Sequence, residues 1–257
     1  MLETWLRLRR EVYSFSEILA QIFNPSLGWT ESDQEVLRIC PSYTDVEALA
    51  KLLTSEPREE DLQQFLEAYP QFLTGLCGWG YDSPLAFLVK PSVGTAYKAD
   101  FAVLSYGQGG CGIYLIEIKR SVEDLYTKSG EHAEKLREAV RQIEDRNMWL
   151  KRGGNIQTFM TDMVDYAKLL PQYPERSANQ SFRLRSSNGI EEAWKSFGGY
   201  DSPIINHIIV IGRWAKLPDC ARKRLVYHNR DNCQLYRIFT YDHVARYGFD
   251  RPYFLPP

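Results

Sequence analysis

The chain has 257 residues, 44% of them hydrophobic and 25% charged, with a formal net charge of -2. This composition excludes a disordered or fibrous chain and suits a folded protein with a real core, built as one main domain or two small ones. No global positive charge draws it to phosphate backbones, so any nucleic-acid site must be a local concentration of Lys and Arg. Short basic clusters occur at Arg7, Arg9 and Arg10, at Lys119 and Arg120, at Lys151 and Arg152, at Arg183 and Arg185, and at Arg222 to Arg224. Taken singly, each reads as a solvated face.

The five cysteines, Cys40, Cys77, Cys111, Cys220 and Cys233, are scattered and contain no C-x-x-C pair. That argues against a disulfide framework or structural zinc and fits a reducing cytoplasm. The N-terminal MLETWLRLRREV carries charges throughout, and the most apolar stretch, Ile204 to Gly212, is interrupted by Asn206 and His207. Neither secretion nor a membrane span is expected.

In chain order, apolar residues from Leu2 to Phe23 recur at near-helical spacing until Asn24-Pro25. A second helix is expected from Thr44 or Asp45 to Leu53. A third begins around Ser55-Glu56-Pro57, with Leu62, Phe65, Leu66 and Tyr69 on one face, and stops before Pro70. Lys98–Tyr106 and Ile113–Arg120 read as strands of a hairpin joined through the glycine-rich segment Gly107–Gly112. A long helix follows from about Gly130 to Trp149, ended by Gly153-Gly154, and is expected to cover the hairpin. Ser177–Gly199 suggests loops around a short helix near Ile190–Phe197, and Ile205–Ile211 a buried strand. A helix near Pro218–Tyr227, a strand Gln234–Phe239 and a helix Tyr241–Tyr247 capped by Thr240 complete the order. Together these imply an α/β sandwich with a mixed sheet. The division expected is a helical extension over 1–55, for assembly or regulation, and a main domain over 56–257.

Strand alternation turns Glu117 and Lys119 to one face, roughly 6 to 7 Å apart, and Ile116 and Ile118 to the other. If the hairpin pairs through its glycine turn, Asp100 can lie near Glu117 on that shared face. Two carboxylates can hold Mg²⁺ or Mn²⁺ through hard oxygen ligands, and a lysine beside them can orient a water or stabilise charge on a phosphate undergoing hydrolysis. By itself the triplet is weak, since roughly one E-x-K is expected by chance in a chain this long and edge strands favour Glu and Lys. Its context, an Asp on the preceding strand and a long helix after it, is what singles it out. The four histidines are not spaced as a metal pair, and no G-K-[ST] phosphate loop is present, so no nucleotide cofactor is expected. Arg213, at the end of a buried strand, could contact phosphate or pair with a carboxylate such as Asp242.

Asp100, sixteen intervening residues and Glu117-Ile118-Lys119 resemble the D…(D/E)-x-K core of the PD-(D/E)XK nucleases, with Ala99 where the literal motif has Pro. More specifically, four segments resemble the Shedu antiphage-defence nucleases: Glu59-Glu-Asp-Leu-Gln-Gln-Phe-Leu-Glu-Ala-Tyr-Pro70, Lys98-Ala-Asp-Phe101, Glu117-Ile-Lys-Arg120 and Ala139-Val-Arg-Gln-Ile143. The C-terminal segments Ile209–Arg213, Arg224-Leu225, Asn229 and Ile238–Asp242 are also similar, so the resemblance runs from about Glu59 to Tyr247. It implies a restriction-endonuclease-like mixed sheet flanked by helices and a metal-dependent DNA endonuclease acting in defence, with self-association into a homo-oligomer. It also implies Asp100 and Glu117 as metal ligands, Lys119 as the catalytic lysine, and Glu59 and Gln142 projecting to the same site. Glu60 competes with Glu59, and Gln142 stands at the border of an apolar stripe. Arg120 and Arg213 are the candidates for nucleic-acid contact. The alternatives are a catalytically silent binding module on the same fold, and a nuclease acting on RNA.

Overall fold

The computed structural model describes residues 41, 43–77, 83–107, 110–172, 180–196, 204–230 and 235–250. The helix expected over Leu2–Phe23, and with it most of the expected extension, lies outside these residues. Helix α1 (Tyr43–Thr54) is followed by α2 (Glu59–Ala68), a single turn α3 (Gln71–Thr74) and a 3₁₀ turn over Gly75–Cys77. Strands β1 (Ser83–Val89), β2 (Ser92–Val93), β3 (Tyr97–Lys98), β4 (Phe101–Gly107) and β5 (Gly110–Ile118) come next. After them run α4 (Glu134–Leu150), α5 (Asn155–Leu169), β6 (Phe182–Arg183), α6 (Ser187–Ser196), β7 (Ile204–Val210), α7 (Asp219–Arg230), β8 (Tyr236–Phe239) and α8 (Tyr241–Asp250). The result is a mixed α/β protein.

Six strands form one sheet in the order β6-β1-β4-β5-β7-β8, while β2 and β3 form a separate small hairpin. The β1/β4, β1/β6 and β4/β5 pairs are antiparallel, and β5/β7 and β7/β8 are parallel. Central β5 is therefore bonded on both sides, and its side chains are shielded above and below. On one face Phe87, Phe101, Val103, Ile116, Ile118, Ile208, Val210 and Phe239 pack with Val46, Leu49 and Leu53 of α1, Leu62 and Leu66 of α2, and Tyr241 and Val244 of α8. The expected boundary near residue 55 thus falls between two helices that share one core. On the other face Ala102, Leu104, Ile113 and Leu115 pack with α5 and α6, and Ile209 and Ile238 pack with Leu136, Ala139 and Ile143 of α4.

Besides the short pieces α3, β2 and β6, two longer elements have no counterpart in the sequence expectations. Strand β1 is SPLAFLV, whose Leu85 to Leu88 are all fully buried, so it shows none of the alternation that marks a half-exposed strand. Helix α5 follows Gly153-Gly154, and Gly154 sits at φ +85 as the residue that opens it. The glycine pair does follow the end of α4, as expected, but it also opens a second helix, whose Phe159, Met160, Met163, Val164 and Ala167 are buried at helical spacing.

The strand expected over Lys98–Tyr106 is broken. Lys98 pairs with Ser92 in the small hairpin, and β4 begins only at Phe101. Asp100 lies in the break, its carbonyl accepting from Lys90 N–H at 2.9 Å. In the same way β5 ends at Ile118, one residue short of Lys119.

Phe87 stands between Phe101 and Phe182, with ring centroids 5.5 and 5.6 Å away. Replacing this fully buried ring by alanine removes contacts to both neighbours and leaves a cavity in the core between β4 and β6. Phe87→Ala is expected to lower unfolding stability by about 3–5 kcal/mol, read from the urea midpoint.

Candidate active site

The extended register of β4 against β5, with Phe101 opposite Ile116 and Ala102 opposite Leu115, sets Asp100 opposite Glu117. Residues 113, 115 and 117 share one face of β5, with Ile113 and Leu115 in the α5/α6 cluster. Ile116 and Ile118 belong to the opposite cluster, as strand alternation requires. Asp100 Oδ2 accepts the Ile118 backbone N–H at 2.8 Å, which ties the aspartate to the end of the strand bearing Glu117.

Lys119 continues the strand by one residue and is fixed by its backbone. Its N–H donates to Val210 carbonyl on β7 at 2.8 Å, and its carbonyl accepts from the Tyr241 hydroxyl at 2.8 Å. Tyr241 is fully buried at the start of α8, and burial holds its phenol well above the ordinary range, so it stays a donor. Beyond it the chain turns through Gly212 at φ +65, whose N–H donates to Arg120 carbonyl. A Cβ there would lie 2.7 Å from Glu123 carbonyl oxygen and 2.5 Å from Leu125 Cδ1, so only glycine fits beside this loop.

Glu117 and Lys119 are both 6% exposed. Lys119 Nζ lies 3.2 Å from Glu117 Oε1 and 3.9 Å from Glu59 Oε1. Glu59 comes from the first turn of α2, across the sheet edge. The helix start explains its orientation: Arg58 forks onto Asp61 at 3.0 and 3.2 Å, Glu60 is exposed, and Glu59 is left facing inward. Glu59, not Glu60, is therefore the α2 residue at the site.

A further participant carries no mark in the expected motif. Arg146 of α4 is 1% exposed, and its Nη2 lies 3.0 Å from Glu117 Oε2 while its Nη1 donates to Lys98 carbonyl at 3.0 Å. Each oxygen of Glu117 thus meets a different cation. The signal was present in the spacing, since Ala139, Ile143, Arg146 and Leu150 follow the 4-3-4 stripe of the buried face. Gln142, one turn before Arg146, is partly buried with its Oε1 shielded and without a hydrogen-bond partner among the described residues. One turn earlier again, Glu138 is held below the usual carboxylate range by its bond to Lys135 and, more weakly, by the charge of Lys119. Glu138 and Arg146 thus bracket Gln142 on the α4 face turned to the site.

Electrostatics follow from this crowding. Asp100 is pushed up to about 6, first by burial and then by the charge of Glu117, against the opposing pull of the Ile118 N–H and Lys119. Burial also raises Glu59, with Lys119 opposing. Burial pulls Lys119 down, yet Glu117, Glu59 and Asp100 outweigh it, so the ammonium is held charged above its ordinary range.

Neither of the two expected nucleic-acid contacts is ion-paired with these carboxylates among the described residues. Arg120 follows Lys119, half-buried, with its Nε shielded and no partner among the described residues. Arg213 forks onto Asp242 at 3.0 and 3.1 Å and donates to Leu53 carbonyl at 3.4 Å, so its donors are spent within the fold, the carboxylate-pairing alternative for this residue. Asp242 also accepts from Trp214 N–H at 2.6 Å, which accounts for its place beside Tyr241 in the Ile238–Asp242 segment.

Among the described residues no three His, Cys, Asp or Glu side chains are gathered closely enough to hold a metal ion as they stand. The cause is visible: Glu117 is drawn to Lys119 and Arg146, and Asp100 to a backbone amide. The donor chemistry nonetheless fits a hard divalent cation, because Glu117 is a buried and Asp100 a half-buried carboxylate on one face, and their mutual repulsion marks a place where added positive charge is favoured.

Fold and site together define a mixed α/β protein with a buried carboxylate–lysine centre at the end of its central strand. The family model described as Shedu protein SduA, C-terminal, matches residues 56–244, and the chain belongs to the Shedu family. Membership points to a part in antiphage defence. A search of curated proteins found no match. No helix among the described residues is long and apolar enough to cross a membrane.

The raised Asp100 carries a stability prediction for the metal-free protein. The unfolded chain releases this proton near 3.8, whereas the folded chain keeps it to about 6. Between those values the folded state binds more protons, so stability falls as pH rises through the window, and the loss persists above it. Asp100→Asn, which can still accept the Ile118 N–H, is expected to be more stable than wild type by on the order of 2 kcal/mol at pH 7.5 in chelator. The gain should vanish near pH 3.5, and parallel denaturant titrations at the two pH values check it.

Proposed function

We propose that this protein is a PD-(D/E)XK-type nuclease that hydrolyses DNA phosphodiester bonds in antiphage defence, with Asp100 and Glu117 holding Mg²⁺ or Mn²⁺. The observation that carries this reading is the convergence of Asp100, Glu117, Lys119 and Glu59 at the end of central strand β5, within a chain of the Shedu family. A divalent ion bound by the two carboxylates supplies charge neutralisation at the phosphate and a more acidic water.

The remaining work falls to the chain's own groups. Lys119, kept charged by three carboxylates, donates a hydrogen bond to the attacking water or to a non-bridging phosphate oxygen, where negative charge grows as the bond breaks. Its backbone anchors at Val210 and Tyr241 leave only the side chain to move, so the ammonium is delivered with little loss of order. Glu59 gives Lys119 a second carboxylate to lean on when Glu117 is engaged elsewhere. Gln142 presents an unbonded carbonyl oxygen from the same side as Arg146, suited to a water in the site. Arg120, next along the chain, serves as a phosphate contact that positions the strand. Self-association and a regulatory role for residues 1–55 belong to the same proposal.

Lys119→Met keeps an unbranched side chain, one atom shorter, and removes its charge. With Mg²⁺, cleavage of at least one DNA form by the wild-type chain is expected, and a loss of about 100-fold or more in the variant. In Ca²⁺, both proteins should bind that DNA alike in a mobility-shift assay. Equal cutting by the two proteins removes the site assignment. A well-folded wild-type chain that leaves linear, nicked, circular and single-stranded DNA intact removes the nuclease reading.

A further inference from the structure

Arg146 is more deeply buried than the three residues of the D…E-x-K core, and it lies outside that motif. Its guanidinium spans two acceptors from different segments. Nη2 meets Glu117 Oε2 at 3.0 Å, and Nη1 donates to Lys98 carbonyl at 3.0 Å, two residues before Asp100. Glu117 is its one ion-pair partner among the described residues. The side chain beside it on β7 offers no rival carboxylate: His207 is 2% exposed, its ring nitrogens make no hydrogen bond among the described residues, and burial followed by the charge of Arg146 keeps it neutral.

A charge this buried is a poor way to gain stability, because desolvation offsets most of the attraction, and an apolar side chain of similar volume would pack as well. What a guanidinium adds is geometry. Its planar, rigid fork fixes the direction of two acceptors at once, which neither an apolar chain nor an ammonium can do. Here the acceptors are one carboxylate of the site and the backbone that delivers the other.

We propose that Arg146 is a positioning residue for the divalent-ion site: it holds Glu117 Oε2, so that Oε1, now paired with Lys119, is the oxygen that would turn to the ion, and it clamps the Lys98–Asp100 backbone at a set distance from β5. The inference rests on the metal-dependent reading above. Outer partners that orient a ligating carboxylate typically change metal affinity by about 10- to 100-fold when removed. Arg146 does so from α4, so the helix that covers the sheet also sets the spacing of the two carboxylates.

The test is Mn²⁺ titration of the full chain, followed by electron paramagnetic resonance of the free ion, with folding checked by circular dichroism. Wild type should bind Mn²⁺, and Glu117→Ala should lose that binding. Arg146→Met is expected to bind at least about tenfold more weakly while folded. Arg146→Lys, which keeps the charge but reaches only one acceptor, should fall between the two and decides the matter if the methionine variant does not fold. Wild-type affinity in a folded Arg146→Met chain, or in Arg146→Lys where only that one folds, overturns the assignment and leaves the metal site standing. Tighter binding in either variant also overturns it, since Arg146 would then be a competitor of the ion. A folded wild-type chain that binds no Mn²⁺ fails before any variant is compared, and that result removes the metal reading itself together with this inference.

Discussion

The carboxylate of Glu117 is buried between two cations, and most of the site's architecture answers to that fact. A lone carboxylate in the middle of a sheet would be forced to take up a proton or expel its strand from the core. Lys119 on one oxygen and Arg146 on the other offset that cost and fix the carboxylate in place. Each cation then needs its own support. Lys119 is fixed through its backbone by β7 and Tyr241, and Arg146 through its second nitrogen by the Lys98 carbonyl. The charged centre is thereby tied into both helical layers and into four segments around the sheet.

The same arrangement explains why carboxylates expected to meet are held slightly apart. Without added positive charge, Asp100 and Glu117 repel, and each turns to the nearest donor, Asp100 to the Ile118 amide and Glu117 to the two side-chain cations. Proton uptake by Asp100 is the other outlet for that repulsion. Both features follow from too little positive charge for the number of buried carboxylates. Stability is given up locally where ionisable groups crowd together, a pattern common at functional sites.

How far the chain could be read before its fold was known depended on where each signal is local. The E-x-K spacing on β5 is local, because alternation alone sets Glu117 and Lys119 together and turns Ile116 and Ile118 away. The position of Asp100 opposite Glu117 needed only one hairpin register, and it held even though the strand breaks at Lys98. Glu59 over Glu60 was decidable from which residue of the first turn lies near the buried Leu62. Strand β1 was invisible because burial on both faces erases the period of two, and α5 because a glycine pair can open a helix as well as close one. Arg213 was ambiguous for a different reason, as its partner Asp242 lies 29 residues on and sequence does not say whether an arginine at a strand end looks inward.

Arg146 is the instructive miss. On the helix it occupies a position where an apolar residue would continue the stripe from Ala139 and Ile143, and read singly it looks like a solvated charge on an amphipathic helix. A stripe that keeps its period while one member is charged signals that something on the facing surface must pair with it. Among the described residues, the strand that carries a carboxylate at matching depth is β5, with Glu117. The buried arginine and the buried glutamate therefore predict each other, and their pairing orders the helix over the sheet edge where the lysine, the aspartate and the α2 glutamate meet.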